Sequence, residues 1–185
     1  MNVMICLLRG VNLGGHHKVP MEVLRTLCES LKCQDVQTYV QSGNVVFRTS
    51  ERDPAALGKK IENVIEKKFG FRADVVVRTP SELREVIARN PFKKRSGIEP
   101  GKLLVTFLAT DPGPEIRNAV LEIKTNPEEV HLSGRELFIY YPDGQGRSKL
   151  WAKVDKALRN AGTARNWNTV TKLLEIAEKL GGGRC

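Results

Sequence analysis

The sequence predicts an α+β fold of two ferredoxin-like halves, one βαββαβ and the other βαββα plus an extra C-terminal helix, packed into one compact body. Three observations carry that prediction. Strand and helix patterns follow the order β-α-β-β-α-β within the first 79 residues, the same order begins again after a loop rich in proline, glycine and bases, and the two predicted hairpins share a local signature. The expected division is a first subdomain over 1–79 and a second, diverged α+β subdomain over 80–185 with a basic helical C-terminus.

Residues 3–9 (VMICLLR) are a continuous apolar run up to Gly10, which suits a central strand buried on both faces. A loop follows, and Pro20 then reads as the first residue of a helix that turns Met21, Leu24, Leu27, Cys28 and Leu31 to one side. Residues 36–41 and 45–49 are β-branched and aromatic and flank Ser42-Gly43-Asn44, a hairpin pattern. Asp53-Pro54 caps and opens the next helix, Leu57, Ile61, Val64 and Ile65 form its buried stripe, and Gly70 ends it before a strand at 72–78. Because the first strand is apolar on both faces, the second half or the last helix is expected to cover the face its own helices leave open.

Thr79-Pro80-Ser81-Glu82 is a capping-box pattern that opens a short helix, stopped by Asn90-Pro91. After the loop 91–101 come a strand at 103–109, a helix over Pro114–Lys124 and a hairpin of 128–132 with 135–141. Ser42-Gly43 with Phe47 mirrors Ser133-Gly134 with Phe138, which suggests a duplicated unit. A helix from Ser148 to Ala161, capped by Gly162, and another from about Asn168 to Leu180 complete the pattern; no final strand is expected, and Gly181 to Cys185 reads as a flexible tail.

The chain has 185 residues and a net charge of +9. The excess is uneven: residues 147–185 carry nine bases against three acids, whereas 103–146 carry three against seven. Such polarity favours phosphorylated ligands or nucleic acid, and a solvated basic face gives the same count. No apolar run approaches the roughly 20 residues that span a bilayer, the start has no export signal, and four cysteines without a C-x-x-C pair suit free thiols in a reducing cytoplasm. A cytoplasmic protein with no membrane partner is the expectation.

The candidate binding residues fall in three clusters. The first is the glycine loop between strand and helix, with Arg9, Gly10, Asn12, Gly14, Gly15, His17 and Lys18. Glycines admit an anion to the backbone and a helix N-terminus attracts it, or the glycines simply turn the chain. The spacing matches neither a Walker A nor a dinucleotide fingerprint. His16 and His17 are adjacent, so in an extended loop they point apart; no metal site is predicted, and exposed loop histidines are the reading. The second cluster is Gln41, Ser42 and Asn44 at the hairpin, where turn chemistry alone also explains these residues. The third is Thr163, Arg165, Asn166 and Trp167 before the last helix, either a cap and staple or a second anion site with Arg165 as a planar fork. Lys149, Lys153 and Lys156 read as a solvated stripe.

The segments LLRGVNLGGHHKVPM, YVQSGNVVF and GTARNWNTVTKLLE resemble the signatures of a bacterial family known as domain of unknown function 1697. The likeness implies paired ferredoxin-like α+β subdomains in a cytosolic protein, and it implies no reaction, substrate or cofactor. The leading expectation is a protein that binds a phosphate-bearing ligand, a nucleotide or nucleic acid. The alternatives are an enzyme acting on a small phosphorylated or nucleotide-like substrate, with His17 as acid or base, and an interaction scaffold. No cofactor is predicted, and the sequence specifies no oligomeric state.

Overall fold

The computed structural model describes residues 1–159 and 161–182. Among them the chain forms two four-stranded antiparallel sheets and six helices, an α+β architecture. It divides into two compact units, Met1–Arg84 with Lys172–Cys185, and Glu85–Thr171.

In the first unit, β1 (Asn2–Leu8) pairs with β3 (Asn44–Thr49) on one side and β4 (Val75–Arg78) on the other. β2 (Gln34–Tyr39) adds the outer strand, so the order is β2-β3-β1-β4. Strand alternation sends Met4, Cys6, Leu8, Val45, Phe47, Val75 and Val77 into one core. Leu24 and Cys28 of α1 (Met21–Ser30) and Leu57, Ile61 and Ile65 of α2 (Pro54–Phe69) fill it from the helix side. Asp53 accepts the Ala55 N–H at 2.9 Å, and Gly70 closes α2 in the left-handed region. Glu62, nearly buried, takes the Val75 N–H on Oε1 and Arg72 and Lys59 on Oε2, which pins α2 to the start of β4.

The alternate residues Ile5, Leu7, Val46 and Val76 are buried too, so the sheet has two covered faces. On that second face Val3 lies against the end of α6 (Trp167–Gly182): a Cβ on Gly181 would sit 3.8 Å from Val3 Cγ2. Thr79 and Glu82 exchange capping-box bonds at the start of α3 (Pro80–Ala88).

In the second unit β5 (Leu103–Leu108) is flanked by β7 (Glu136–Tyr140) and β8 (Gly162–Asn166), with β6 (Glu129–Ser133) outermost; the order is β6-β7-β5-β8. Leu104, Leu108, Leu137, Ile139 and Tyr141 pack with Val120 of α4 (Gly113–Leu121) and Leu150, Val154 and Leu158 at α5 (Leu150–Ala157).

Three sequence expectations are corrected here. A final strand exists: β8 pairs along β5 from Leu104↔Asn166 to Leu108↔Gly162. Its sequence, GTARN, buries Thr163 and Arg165 where a strand normally shows apolar residues, so no hydrophobic pattern betrays it. Gly162 is therefore a strand residue and not a helix cap; a Cβ there would collide with Thr106 Cγ2 and crowd Leu108. The preceding helix ends at Ala157 because Arg159 turns left-handed (φ 52°), which leaves Ala161 exposed. Gly181 and Gly182 belong to α6, and residues 183–185 of the expected tail lie outside the described residues.

Candidate functional site

The segment after β1 is a miniature hairpin. Leu8 and Arg9 donate their N–H groups to the Gly43 and Asp74 carbonyls at 2.9 Å, and Val11 buries itself beside them. Beyond it Asn12 N–H bonds His17 O at 3.1 Å and His16 N–H bonds Leu13 O at 3.0 Å, leaving Gly14 and Gly15 at the tip. Both have positive φ, 56° and 81°, as the two central residues of a primed hairpin turn require. Nothing lies within 4 Å of where their Cβ atoms would be, and among the described residues their N–H groups have no hydrogen-bond partner.

Asn12 fastens this hairpin at its base. Its Nδ2 donates to Val19 O at 2.9 Å and to Gln41 O at 2.7 Å, while Oδ1 accepts the Val19 N–H at 2.8 Å. Val19 is fully buried and fixes the entry to α1, whose N-cap, Pro20, provides no side-chain cap. The bond to Gln41 joins the loop to the β2–β3 turn, Val40–Gly43. Close approach is possible only because residue 43 is glycine: a Cβ would lie 2.6 Å from Val11 Cγ2 and 2.8 Å from Leu8 Cβ, with φ at +75°.

The predicted residues of this unit thus separate by what their side chains do. Asn12 is spent on the backbone, and Asn44, fully buried, donates Nδ2 to Tyr39 O and Ser42 Oγ, both at 2.9 Å, to close the turn. Arg9 places Nη1 3.9 Å from Asp74 Oδ2. Gly10 turns the chain at φ 65° and is exposed. His17 stacks on Phe71 with ring centroids 4.3 Å apart. Lys18, His16 and Gln41 project into solvent. The result is an open glycine tip, with Lys18 exposed in the same loop.

In the second unit the Thr163–Trp167 cluster is mostly β8, where the sequence suggests a loop. Arg165 is 7 % exposed and sends Nη1 to Thr163 Oγ1 and Ala164 O, each at 2.8 Å. Burial pushes its pKa down to about 10, so it stays a cation at neutral pH. Asn166 Oδ1 accepts the Thr169 N–H at 2.9 Å as the cap of α6, and Trp167, half-buried, is the first helical residue. Lys149, Lys153 and Lys156 are exposed.

Leu13 and Val40 carry no functional signal in the sequence. They are 65 % and 51 % exposed, next to the two ends of the Asn12–Gln41 bond, and a single apolar residue in a loop makes no periodic signal. Cys6, Cys28 and Cys33 are free and buried. Burial raises all three thiols, Cys28 to about 12 and Cys33 to about 11, which keeps them protonated at neutral pH. Cys185 lies outside the described residues. Among the described residues no group of three His, Cys, Asp or Glu is placed to hold a metal ion, and no helix is long and apolar enough to cross a membrane.

A family model described as "Protein of unknown function (DUF1697)" matches residues 1–138. The chain is also similar in fold to a solved structure, that of the conserved bacterial protein SP0830 from Streptococcus pneumoniae. The TM-score is 0.72 at 20% sequence identity, over 95% of this chain and 98% of that one. No match was found among curated proteins.

Proposed function

Because the chain belongs to the DUF1697 family, whose description carries no activity, we propose its function from the site: it binds a phosphate-bearing ligand at the Gly14-Gly15 tip. One observation carries the reading. The tip offers unpartnered backbone N–H groups in open space, held rigid by the three Asn12 bonds and bordered by exposed His16 and Lys18. Backbone donors of that kind bind anions without the entropy cost of ordering a long side chain. The uncapped start of α1 adds partial positive charge close by, offset in part by Glu22 in its first turn. In the second unit, by itself, the Thr163–Arg165 pair is proposed as a separate anion contact, supported by a guanidinium that keeps its charge.

The same proposal includes the architecture. Each sheet has the order outer hairpin strand, inner hairpin strand, first strand, last strand, and each is built from β-α-β-β-α-β, which supports two ferredoxin-like halves that arose by duplication. Buried free thiols support a reducing, cytoplasmic setting.

A thermal-shift series with inorganic tripolyphosphate tests the binding reading. At a hundredfold excess over Kd the ligand should stabilise the fold by about 2.7 kcal/mol, and Lys18→Glu should remove most of that gain. No shift, or a shift equal in Lys18→Glu, refutes it. Single- and double-stranded DNA and RNA titrated at rising salt form the second arm: steeply falling affinity identifies nucleic acid as the phosphate source, and no binding at low salt assigns the site to small molecules.

A further inference from the structure

The C-terminal end of α1 is closed by two reversed hydrogen bonds, and the outer one joins two cysteines. The Cys33 N–H bonds Cys28 O at 3.2 Å and the Lys32 N–H bonds Glu29 O at 2.9 Å, with Lys32 left-handed at φ 62°. In a helix end of this kind the two residues of the outer bond turn their side chains against each other, and here both side chains are thiols. Cys28 and Cys33 lie in one core cluster, buried and free. Burial and then the charge of Cys33 push the Cys28 thiol up to about 12, a second sign that the sulfurs are neighbours. A backbone N–H···O=C bond between two residues holds their Cα atoms at a distance of the kind a disulfide spans, ~4.4–6.8 Å.

We infer that Cys28 and Cys33 are a dithiol pair that hydrogen peroxide oxidises to an intramolecular disulfide. Cys33 reacts first. It is 4 % exposed, whereas Cys28 and Cys6 are fully enclosed, and burial raises it only to about 11 because a hydrogen bond from Thr49 pulls the other way. It also precedes β2, the outer strand, whose ladder is broken by a bulge between Gln34 and Gln37 with Asp35 left-handed at φ 53°. Few hydrogen bonds therefore break when this corner opens locally. The Cys33 thiolate attacks one peroxide oxygen, the O–O bond breaks, hydroxide leaves and a sulfenic acid remains. The Cys28 thiolate then attacks the Cys33 sulfur, which forms the S–S bond and expels the second hydroxide. The two thiol protons turn both hydroxides into water, so two thiols and one peroxide give one disulfide and two waters, the sulfurs losing the two electrons that the peroxide gains. The third core thiol, Cys6, stands in mid-sheet opposite Val45 and Val77 and takes no part. In a reducing compartment the dithiol is the resting form and the disulfide is transient. The pair works whether or not the glycine tip holds a phosphate.

Peptide mapping of the folded whole chain decides it, with Cys185→Ser removing the fourth thiol. The chain is treated with hydrogen peroxide, its remaining thiols are alkylated, and trypsin digests it without reduction. Cleavage after Lys32 separates the two cysteines, so their disulfide appears as peptides 26–32 and 33–48 joined together. That joined pair should account for most of the oxidised chain and revert with dithiothreitol. Because the bond closes in the native geometry, the oxidised chain should keep its helical circular dichroism and unfold at a urea midpoint up to about 1 M higher. Cys28→Ala should abolish the joined pair and leave a sulfenic acid on Cys33 that dimedone traps. Peptide 1–9, which carries Cys6, joined to either partner, over-oxidised Cys33 without a link, or no oxidation of the folded chain overturns the proposal. So does an oxidised chain that loses helix or unfolds at lower urea.

Discussion

Replacing Asn12 by alanine removes the fastening of the glycine hairpin, and the structure sets the size of the loss. Three hydrogen bonds disappear, at 2.9, 2.7 and 2.8 Å, two of them part-buried and one exposed. At a net ~0.5–1.5 kcal/mol each, with the exposed bond at the low end, they contribute about 2–3 kcal/mol. Alanine must also hold φ near 57°, which asparagine tolerates better, for roughly 0.5–1 kcal/mol more. The total, about 3 kcal/mol, is a large part of the ~5–15 kcal/mol that holds an ordinary domain together. Urea unfolding followed by circular dichroism is the assay; with m near ~2 kcal/mol/M the midpoint should fall by about 1.5 M. Asn12→Gly separates the two contributions, since glycine loses the bonds but accepts the backbone, and should be the milder variant. A loss below about 1 kcal/mol in Asn12→Ala, or equal losses in both variants, refutes the reasoning.

Gly43→Ala should cost at least about 2 kcal/mol, because its Cβ meets Val11 and Leu8 below 3 Å at φ +75°, whereas Gly14→Ala, facing open space, should cost only about 1; denaturation midpoints compare them. Tyr141→Phe and Thr106→Val should leave stability unchanged or raise it by up to about 1 kcal/mol, since both hydroxyls are buried without a partner among the described residues; a clear loss in calorimetry shows that a partner exists. Hydrogen bonds from Lys179 and then Lys172 hold the Glu175 carboxyl down at about 2 in the folded chain, so its contribution is complete above its unfolded value near 4.5 and disappears as pH falls towards 2. The stability gap between wild type and Glu175→Gln should therefore narrow over that window and with added salt; a gap flat from pH 5 to 2.5 contradicts the assignment.

The first unit is legible where residues speak through pattern. Asp53-Pro54 and Gly70 bracket α2, Thr79 and Glu82 open α3, and the apolar run of β1 announces a strand covered on both faces. The second unit hides β8 because its buried side chains Thr163 and Arg165 are polar and bonded to each other, while the positions facing the helix-side core, Gly162 and Ala164, are too small to make a hydrophobic pattern. At the hairpin the reverse holds: β-branched Val40 looks like a strand residue, yet β2 stops at Tyr39 and Val40 turns left-handed. At the site, the glycines and Lys18 were visible as residue types. That Asn12 spends its amide on the Gln41 carbonyl depends on a distance between segments 29 residues apart, and that Asn44 closes its own turn on Tyr39 O depends on a side-chain direction no residue pattern carries.

The central claim is that the Gly14-Gly15 tip receives phosphate oxygens. An amide-resolved NMR titration with tripolyphosphate reads those N–H groups directly. The Gly14 and Gly15 cross-peaks should move furthest, saturate, and cease to move in Lys18→Glu. If they stay still while the ligand binds and other amides shift, the phosphate sits elsewhere and the claim is wrong.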